Sequence, residues 1–507
     1  MQIEVYIGEQ HHKIEAEPGQ SILEALQIHG INVLTAPCGG KGRCGKCKVL
    51  AEGMGEVLAC TTSVASGMKV TIPQQQLEAD DAKIAEDGWC SHYPPDQTEQ
   101  LVAACDIGTT TVVCHLIDGM TGEKLATVSA PSAQRGFGAD VLSRIQAAEA
   151  GHLMLLRDQI TGQIRQMLET LKKESGRSEE ITRLSVVGNT IMCHLFAGIS
   201  PAAIGVTPFM PQEFFGKEYT GEELGLSECK RVYIAPALAG FVGGDITADL
   251  LSVMTQQEGS TKTLLLDIGT NGEMALGDKN QYYCCATAIG SAFEGAEMKM
   301  GMPAAAGAIS HVWLDKRRIR VEVIGGGTAR GICGSGLIDA LAVLLEMGLL
   351  DHTGLLNPPD AVSVAYRKYL GEYAGQPCVW LSKEVCLTQE DIRGLQLAKA
   401  AFAAGMKILW KESHIAADEI GRVVLAGGFG SYLKKESAAA IGLVPKELLP
   451  VTVSVGNAAG EGAVSAAISE EARKELMRIR ERMHYIELST HPEFAKDYMQ
   501  QMDFDVK

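Results

Sequence analysis

The chain has 507 residues, a formal net charge of −17 at pH 7, fourteen cysteines and 46% hydrophobic residues. That length suits three or four domains, and the negative charge excludes a nucleic-acid polyanion as the main partner. No apolar run reaches the ~18 residues a membrane span needs, and the opening MQIEVYIGEQ has neither basic nor apolar signal character, so a soluble cytoplasmic protein with reduced thiols is expected.

In chain order, QIEVYI (2–7) alternates like a strand, and HHKIEAE supplies a return strand. PGQSILEALQIHG predicts a helix capped by Ser21, with Glu24 three residues on completing a capping box and Gly30 ending it. VLAC and MKVTIP predict two later short strands, and Pro73 closes the unit.

Between these elements lies APCGGKGRCGKCKVL, followed by Cys60. The spacing is C-x5-C-x2-C-x12-C over Cys38, Cys44, Cys47 and Cys60. Thiolates at short fixed intervals, with a fourth from a neighbouring strand, suit a [2Fe–2S] cluster. Gly39, Gly40, Gly42 and Gly45 allow the backbone to curl so that amides face the sulfurs. Zinc also takes four cysteines, but usually in two short knuckles, and only one pair here has that spacing. Lys41, Arg43, Lys46 and Lys48 surround the thiols, either as a solvated basic loop or as a docking patch for an acidic partner. Residues 1–75 resemble the β-grasp [2Fe–2S] ferredoxins. The x5-x2 spacing is nearer the adrenodoxin-like branch than the plant pattern, and the gap before Cys60 is shorter than in either. The other ten cysteines are scattered apart from adjacent Cys284 and Cys285, and Cys105 and Cys114 sit in apolar runs that predict core positions.

Residues 76–100 are polar, acidic and hold Pro94 and Pro95, which predicts a linker. A repeat follows. LVAACDIGTTTVVCHLID and KTLLLDIGTNGEMALGD each give a strand, Asp-Ile-Gly-Thr and a second strand, with Asp106 and Asp267 161 residues apart. Two copies imply two related lobes, 101–258 and 259–470, before a C-terminal helical tail, 471–507. The chemistry fits phosphate. Gly108 and Gly269 permit tight turns, while Thr109, Thr110, Thr270 and Asn271 offer donors. An aspartate at each strand end can hold Mg²⁺ through water.

RVVLAGGFGSYL is a buried strand running into Gly427, Gly428 and Gly430, bare enough for a nucleotide to approach. LSVVGNTIMCHLF and VSVGNAAGEGAVSAAI each predict strand, Gly-Asn and helix, and GICGSGLIDALAVLLEMG predicts a glycine turn at Gly334 opening a helix. There is no Walker motif and no GxGxxG after a strand. In this order the motifs resemble the actin-like (ribonuclease H-like) ATPases, which enclose ATP between two lobes. The expected fold is thus α/β overall, with an α+β ferredoxin domain ahead of a two-lobed actin-like module.

The combination, together with AGFVGGDITADLL near the end of the first lobe, resembles the reductive activators of corrinoid-dependent enzymes over nearly the whole chain. That resemblance implies a repair reductase that returns one electron to a Co(II) corrinoid protein, regenerating Co(I) at the expense of ATP. It implies a [2Fe–2S] cluster, ATP and Mg²⁺ as cofactors, a low-potential electron donor, and a homodimer through the ATPase lobes, with no membrane. Asp106 and Asp267 would place the metal, and Glu273 or Glu294 would orient the attacking water or serve structure alone. The alternatives are an actin-like small-molecule kinase with a redox-sensing ferredoxin domain, and a chaperone-like module stapled by the cluster. The roughly 40 residues after Ile468 are too few for a peptide-binding domain of the chaperone kind.

Overall fold

Alternation in QIEVYI sends Ile3 and Val5 into the core, both fully buried, beneath a helix that covers them with Ile22 and Leu26. The computed structural model describes residues 1–77, 86–88, 93–254, 261–295, 298–430 and 432–504. They fall into two compact units: one holds Met1–Asp81, Tyr93–Asp245 and Ala463–Lys474, and the other Ala82–His92, Ile246–Gly462 and Glu475–Lys507.

The first unit opens with a five-stranded sheet in the order Gln10–Glu15, Gln2–Ile7, Lys69–Ile72, Lys48–Ala51, Gly55–Leu58. Gln2–Ile7 pairs antiparallel with its hairpin partner and parallel with Lys69–Ile72. The helix Ile22–Ile28 starts at the expected capping box, Ser21 N to Glu24 Oε2 at 2.8 Å and Glu24 N to Ser21 Oγ at 3.2 Å. This is a β-grasp. Strand Lys48–Ala51 was not anticipated; its four residues directly follow the last cysteine of the loop.

The same unit holds a six-stranded sheet in the order Lys217–Thr220, Cys229–Ile234, Ile181–Val187, Leu101–Ile107, Thr111–Asp118, Lys124–Pro131. Its three-strand meander continues into two parallel strands. Helices Leu153–Ser175 and Thr190–Ala197 cover it, burying Leu156, Ile160, Ile164, Ile191 and Leu195. Glu99, within the stretch expected to be linker, is buried and bonds Arg183 at 2.7 Å and Arg231 at 2.5 Å, so the end of that stretch is anchored.

The second unit repeats the plan: Thr452–Gly456, Ile420–Ala426, Lys262–Ile268, Gly272–Asp278, Gln281–Thr287, Met483–Tyr485. Again a meander passes into two parallel strands, and Asp267 occupies the position in Lys262–Ile268 that Asp106 occupies in Leu101–Ile107. Two ribonuclease H-like sheets in one chain are the actin-like architecture. The helix expected in the tail is present as Glu470–Arg482, but the next three residues add a strand to the sheet edge. The tail then packs along helix Gln389–Ser413, where the buried Lys399 ammonium donates to the carbonyls of Gln501 and Asp503, both at 2.8 Å, and Phe504 is buried.

Candidate functional site

The four cysteines of the N-terminal domain stand as two pairs. Cys44 Sγ lies 3.4 Å from Cys38 Sγ, and Cys47 is hydrogen-bonded to Cys60. Among the described residues no three His, Cys, Asp or Glu side chains gather round one point as a single-metal cage. Two sulfurs on one tetrahedral metal at about 2.3 Å stand roughly 3.8 Å apart. Two such pairs therefore fit a two-iron cluster, each iron taking two thiolates.

The backbone around them is shaped as the glycines require. Gly39, Gly40, Gly42 and Gly45 all have φ between 61° and 79°, and a Cβ on Gly42 would lie 2.8 Å from Thr61 Cγ2. This curl aims amides at sulfur. Partial burial pushes the Cys38 thiol up, but the N–H groups of Cys44, Arg43 and Lys41 outweigh it and bring it down to about 7. Burial raises Cys44 against opposing amides of Lys46 and Cys38. Burial pushes Cys47 up to about 12, with the nearby Cys60 and Cys44 sulfurs acting in the same direction. The Cys44 and Cys47 thiols, which burial keeps from ionising, become favourable as thiolates once cations share their charge.

In the first unit Asp106 ends its strand half-buried. At Gly108 a Cβ would meet the Thr111 carbonyl oxygen at 2.6 Å, so only glycine closes that turn. Thr109 is buried: its hydroxyl accepts from Asn189 Nδ2 at 3.0 Å and its carbonyl accepts from Arg144. Thr110 is exposed, and its carbonyl accepts from Ser132 N at 2.8 Å. Asn189 also caps helix Thr190–Ala197 through Met192 N at 2.9 Å. The Gly-Gly-Asp turn joins this group, because a Cβ on Gly243 would fall 2.6 Å from Asn189 Cα. Three motifs far apart in sequence thus meet at one strand end.

In the second unit Asp267 faces Glu273 directly across the ladder, with Glu273 buried. Asp267 is also hydrogen-bonded to Asp249, and burial pushes its carboxyl up to about 6, although that bond pulls the other way. Gly427 follows its strand at φ 85°, and a Cβ there would sit 2.2 Å from Asp267 Oδ1. Around Gly428 nothing lies within 4 Å of the corresponding position, whereas Gly430 packs against Leu425. Thr270 Oγ1 donates to Glu294 Oε1 at 2.9 Å, bringing that carboxylate to the loop. The Gly269 amide is taken up within the turn by the Asn271 carbonyl at 3.0 Å. Gly334 is the first residue of helix Gly334–Glu346, preceded by Cys333 as N-cap.

Two residues were missed by sequence reasoning. Asp249 lies within AGFVGGDITADLL, and nothing in its spacing indicates that it reaches Asp267. Asp339 is buried in helix Gly334–Glu346 and gathers His311 Nδ1 at 3.0 Å, Lys434 Nζ at 3.1 Å and Ser437 Oγ at 2.5 Å. It thereby fixes the segment that leaves the Gly427–Gly430 turn. A carboxylate in an apolar helix gave no periodic signal beyond its being polar in a buried run.

A thiol loop on a β-grasp, with paired strand-end aspartates on two ribonuclease H-like sheets, defines an iron–sulfur protein of the actin-like ATPase class. Residues 3–75 match the family described as 2Fe-2S iron-sulfur cluster binding domain, 101–258 the RACo middle region, and 261–507 the C-terminal domain of RACo, the ASKHA domain. The chain is 30% identical over 558 aligned positions to the corrinoid activation enzyme RamQ of Eubacterium limosum, spanning 92% of this chain and 93% of that one. It is 26% identical to the [Co(II) methylated amine-specific corrinoid protein] reductase of Methanosarcina barkeri, over 68% of this chain and 65% of that one. It superposes on the solved structure of a reductive activator for corrinoid, iron-sulfur protein with a TM-score of 0.71 and 28% identity, covering 99% of this chain and 98% of that one. The chain belongs to the RACo family of corrinoid reductive activators. Among the described residues, no helix is long and apolar enough to cross a membrane.

Proposed function

We propose that this protein is an ATP-dependent reductive activator. It passes one electron from an external low-potential donor to the Co(II) corrinoid of a partner methyltransferase protein, which becomes Co(I). The observation that carries this reading is the union, in one chain, of two thiol pairs on an amide-lined loop with two matching aspartate–glycine strand ends. Its modules are a cluster domain at 1–75, a connecting stretch at 76–100, lobes at 101–258 and 259–470, and a tail at 471–507. The protein works as a homodimer in the cytoplasm.

When bound, a [2Fe–2S] cluster supplies reversible one-electron transfer at low potential. Cys38, Cys44, Cys47 and Cys60 would hold it, with the amides of Lys41, Arg43 and Lys46 supporting the sulfur charge. Bound Mg²⁺ offsets the charge on the transferring phosphoryl group. Asp106 and Asp267 are the carboxylates that would hold its water shell. Thr109, Thr110, Thr270, Asn271 and the turns at Gly108 and Gly269 line the phosphates, and Gly427, Gly428, Gly430 and Gly334 leave room for the nucleoside. Glu273 and Glu294 stand at the same strand end as Asp267, and one of them orients the attacking water.

The test uses anaerobic protein, a low-potential chemical donor and a Co(II) corrinoid protein, with Co(I) followed by its absorption. Co(I) is expected to accumulate only with ATP, Mg²⁺ and all four cysteines. Equal accumulation without nucleotide sinks the proposal.

A further inference from the structure

One helix touches both halves of the proposed machinery within the first unit. Helix Val141–Ala147 is capped by Asp140, whose carboxylate accepts from Ser143 N at 2.7 Å and Ser143 Oγ at 3.0 Å. Ser143, Gln146 and Ala147 are spaced three and four apart and so share a face. That face meets the cluster loop. Lys41 Nζ donates to Gln146 Oε1 at 2.8 Å, and a Cβ on Gly39 would sit 3.5 Å from Ser143 Cβ. Just before the helix, Ala139 N donates to the Pro37 carbonyl at 3.2 Å, one residue from Cys38. The joint is close because Gly138, at φ 134°, leaves no room for a side chain: a Cβ there would lie 2.2 Å from Ser143 Cβ. A cleft of about 240 Å³, walled in part by Gly40, Cys60 and Gln146, runs along the joint and leaves it space to shift.

The next residue of the helix turns the other way. Arg144 is completely buried. Its guanidinium donates to the Thr109 carbonyl in the first aspartate–glycine loop, to Gln134 Oε1 at 3.2 Å and to the Gly138 carbonyl at 3.5 Å. A buried guanidinium is costly and its planar fork is geometrically exacting, so it transmits displacement between the groups it bonds. The segment has a second hold on the same loop, through Ser132 N to the Thr110 carbonyl.

We infer that Arg144 is a positioning residue that couples nucleotide binding at the Thr109–Thr110 loop to the oxidation state of the cluster held by Cys38, Cys44, Cys47 and Cys60. This rests on the function proposed above. Reduction adds one electron from the external donor, hence one negative charge, to a cluster whose loop leans on this helix. Nucleotide adds negative charge at the loop that Arg144 bonds and draws the guanidinium toward it. The two events therefore oppose each other, and by linkage each weakens the other by the same factor.

The experiment is a redox titration of the full-length, cluster-loaded protein, with and without Mg²⁺ and a non-hydrolysable ATP analogue, together with analogue binding to the oxidised and reduced forms. Analogue is expected to bind the reduced protein three- to tenfold more weakly, and the one-electron potential to fall correspondingly by about 28 to 59 mV. Arg144→Lys keeps the charge but loses the fork, and is expected to at least halve that shift. Gln146→Ala, which leaves the nucleotide loop untouched, is expected to do the same with unchanged analogue affinity in the oxidised protein, and it decides the matter should the arginine variant fail to fold. An unchanged or raised potential in the parent protein, or a full shift in Gln146→Ala, overturns the coupling. Protein that takes up iron and binds analogue yet shows no shift overturns this inference alone. Protein that binds neither overturns the parent reading with it.

Discussion

Gly427→Ala tests the second aspartate–glycine strand end with a single methyl group. The added Cβ would lie 2.2 Å from Asp267 Oδ1, against roughly 3.3 Å for an ordinary carbon–oxygen contact. Either the carboxylate or the turn must move by about 1 Å. The backbone at φ 85° adds strain of about 1–2 kcal/mol for any residue with a Cβ. Misplacing a catalytic group by about 1 Å costs on the order of 100-fold in rate, or ~2.7 kcal/mol of barrier. ATP hydrolysis by anaerobically purified protein is therefore expected to fall about 100-fold, with melting lowered by a few degrees and the visible spectrum of the cluster unchanged. Gly428→Ala is the control. It has open space around the new methyl and no positive φ, so its stability should match the parent. Hydrolysis by Gly427→Ala within threefold of the parent would refute the assignment of this turn to the nucleotide site.

Other outcomes follow from the same geometry. Cys44→Ala should lose iron and the cluster's absorption while ATP hydrolysis survives, checked by metal analysis; full iron content in that variant contradicts the ligand set. Asp267→Asn should keep a reducible cluster and lose hydrolysis, and an unchanged rate would reduce the second loop to a structural hairpin. Burial pushes the Asp267 carboxyl up to about 6, so Mg²⁺–ATP affinity should climb as pH rises through about 6 and level off above it. In metal-free protein the sign reverses: the folded state keeps a proton that the unfolded state sheds near pH 4, so this group's contribution to stability declines between about pH 4 and 6, and Asp267→Asn should remove that dependence in melting curves. Lys399→Met strands the carbonyls of Gln501 and Asp503, at a cost of about 1–3 kcal/mol, and should speed hydrogen exchange across helix Phe494–Gln500.

What was legible in the sequence depended on local chemistry. The thiol loop was readable because glycine and cysteine at short intervals leave few geometries, and the positive φ at Gly39, Gly40, Gly42 and Gly45 follows from that composition. The twin Asp-Ile-Gly-Thr turns were readable because the strand on either side is apolar and continuous. Asp249 was not readable as a partner of Asp267, since their pairing is a product of how helix Gly244–Met254 meets the strand end. Strand Met483–Tyr485 was hidden for a related reason. MHY has no alternation long enough to register, and it becomes a strand only because Gln281–Thr287 offers a free edge. Arg144 gave no signal at all, because one arginine within an ordinary helical pattern reads as a solvated charge.

The energetics explain why one chain joins these two kinds of site. For a gap taken as ~100 mV between a [2Fe–2S] centre near −400 mV and a lower corrinoid couple, a one-electron transfer is uphill by about 2.3 kcal/mol. Only about one acceptor in fifty would then be reduced at equilibrium. A ligand shifts such an equilibrium only by its difference in affinity between states, so tight ATP binding by itself contributes nothing. The coupling through Arg144 supplies one such difference: a tenfold loss of nucleotide affinity on reduction is ~59 mV, which offsets about 1.4 kcal/mol of the gap. About 0.9 kcal/mol remains. That amount lies within the usual range for coupling between two sites.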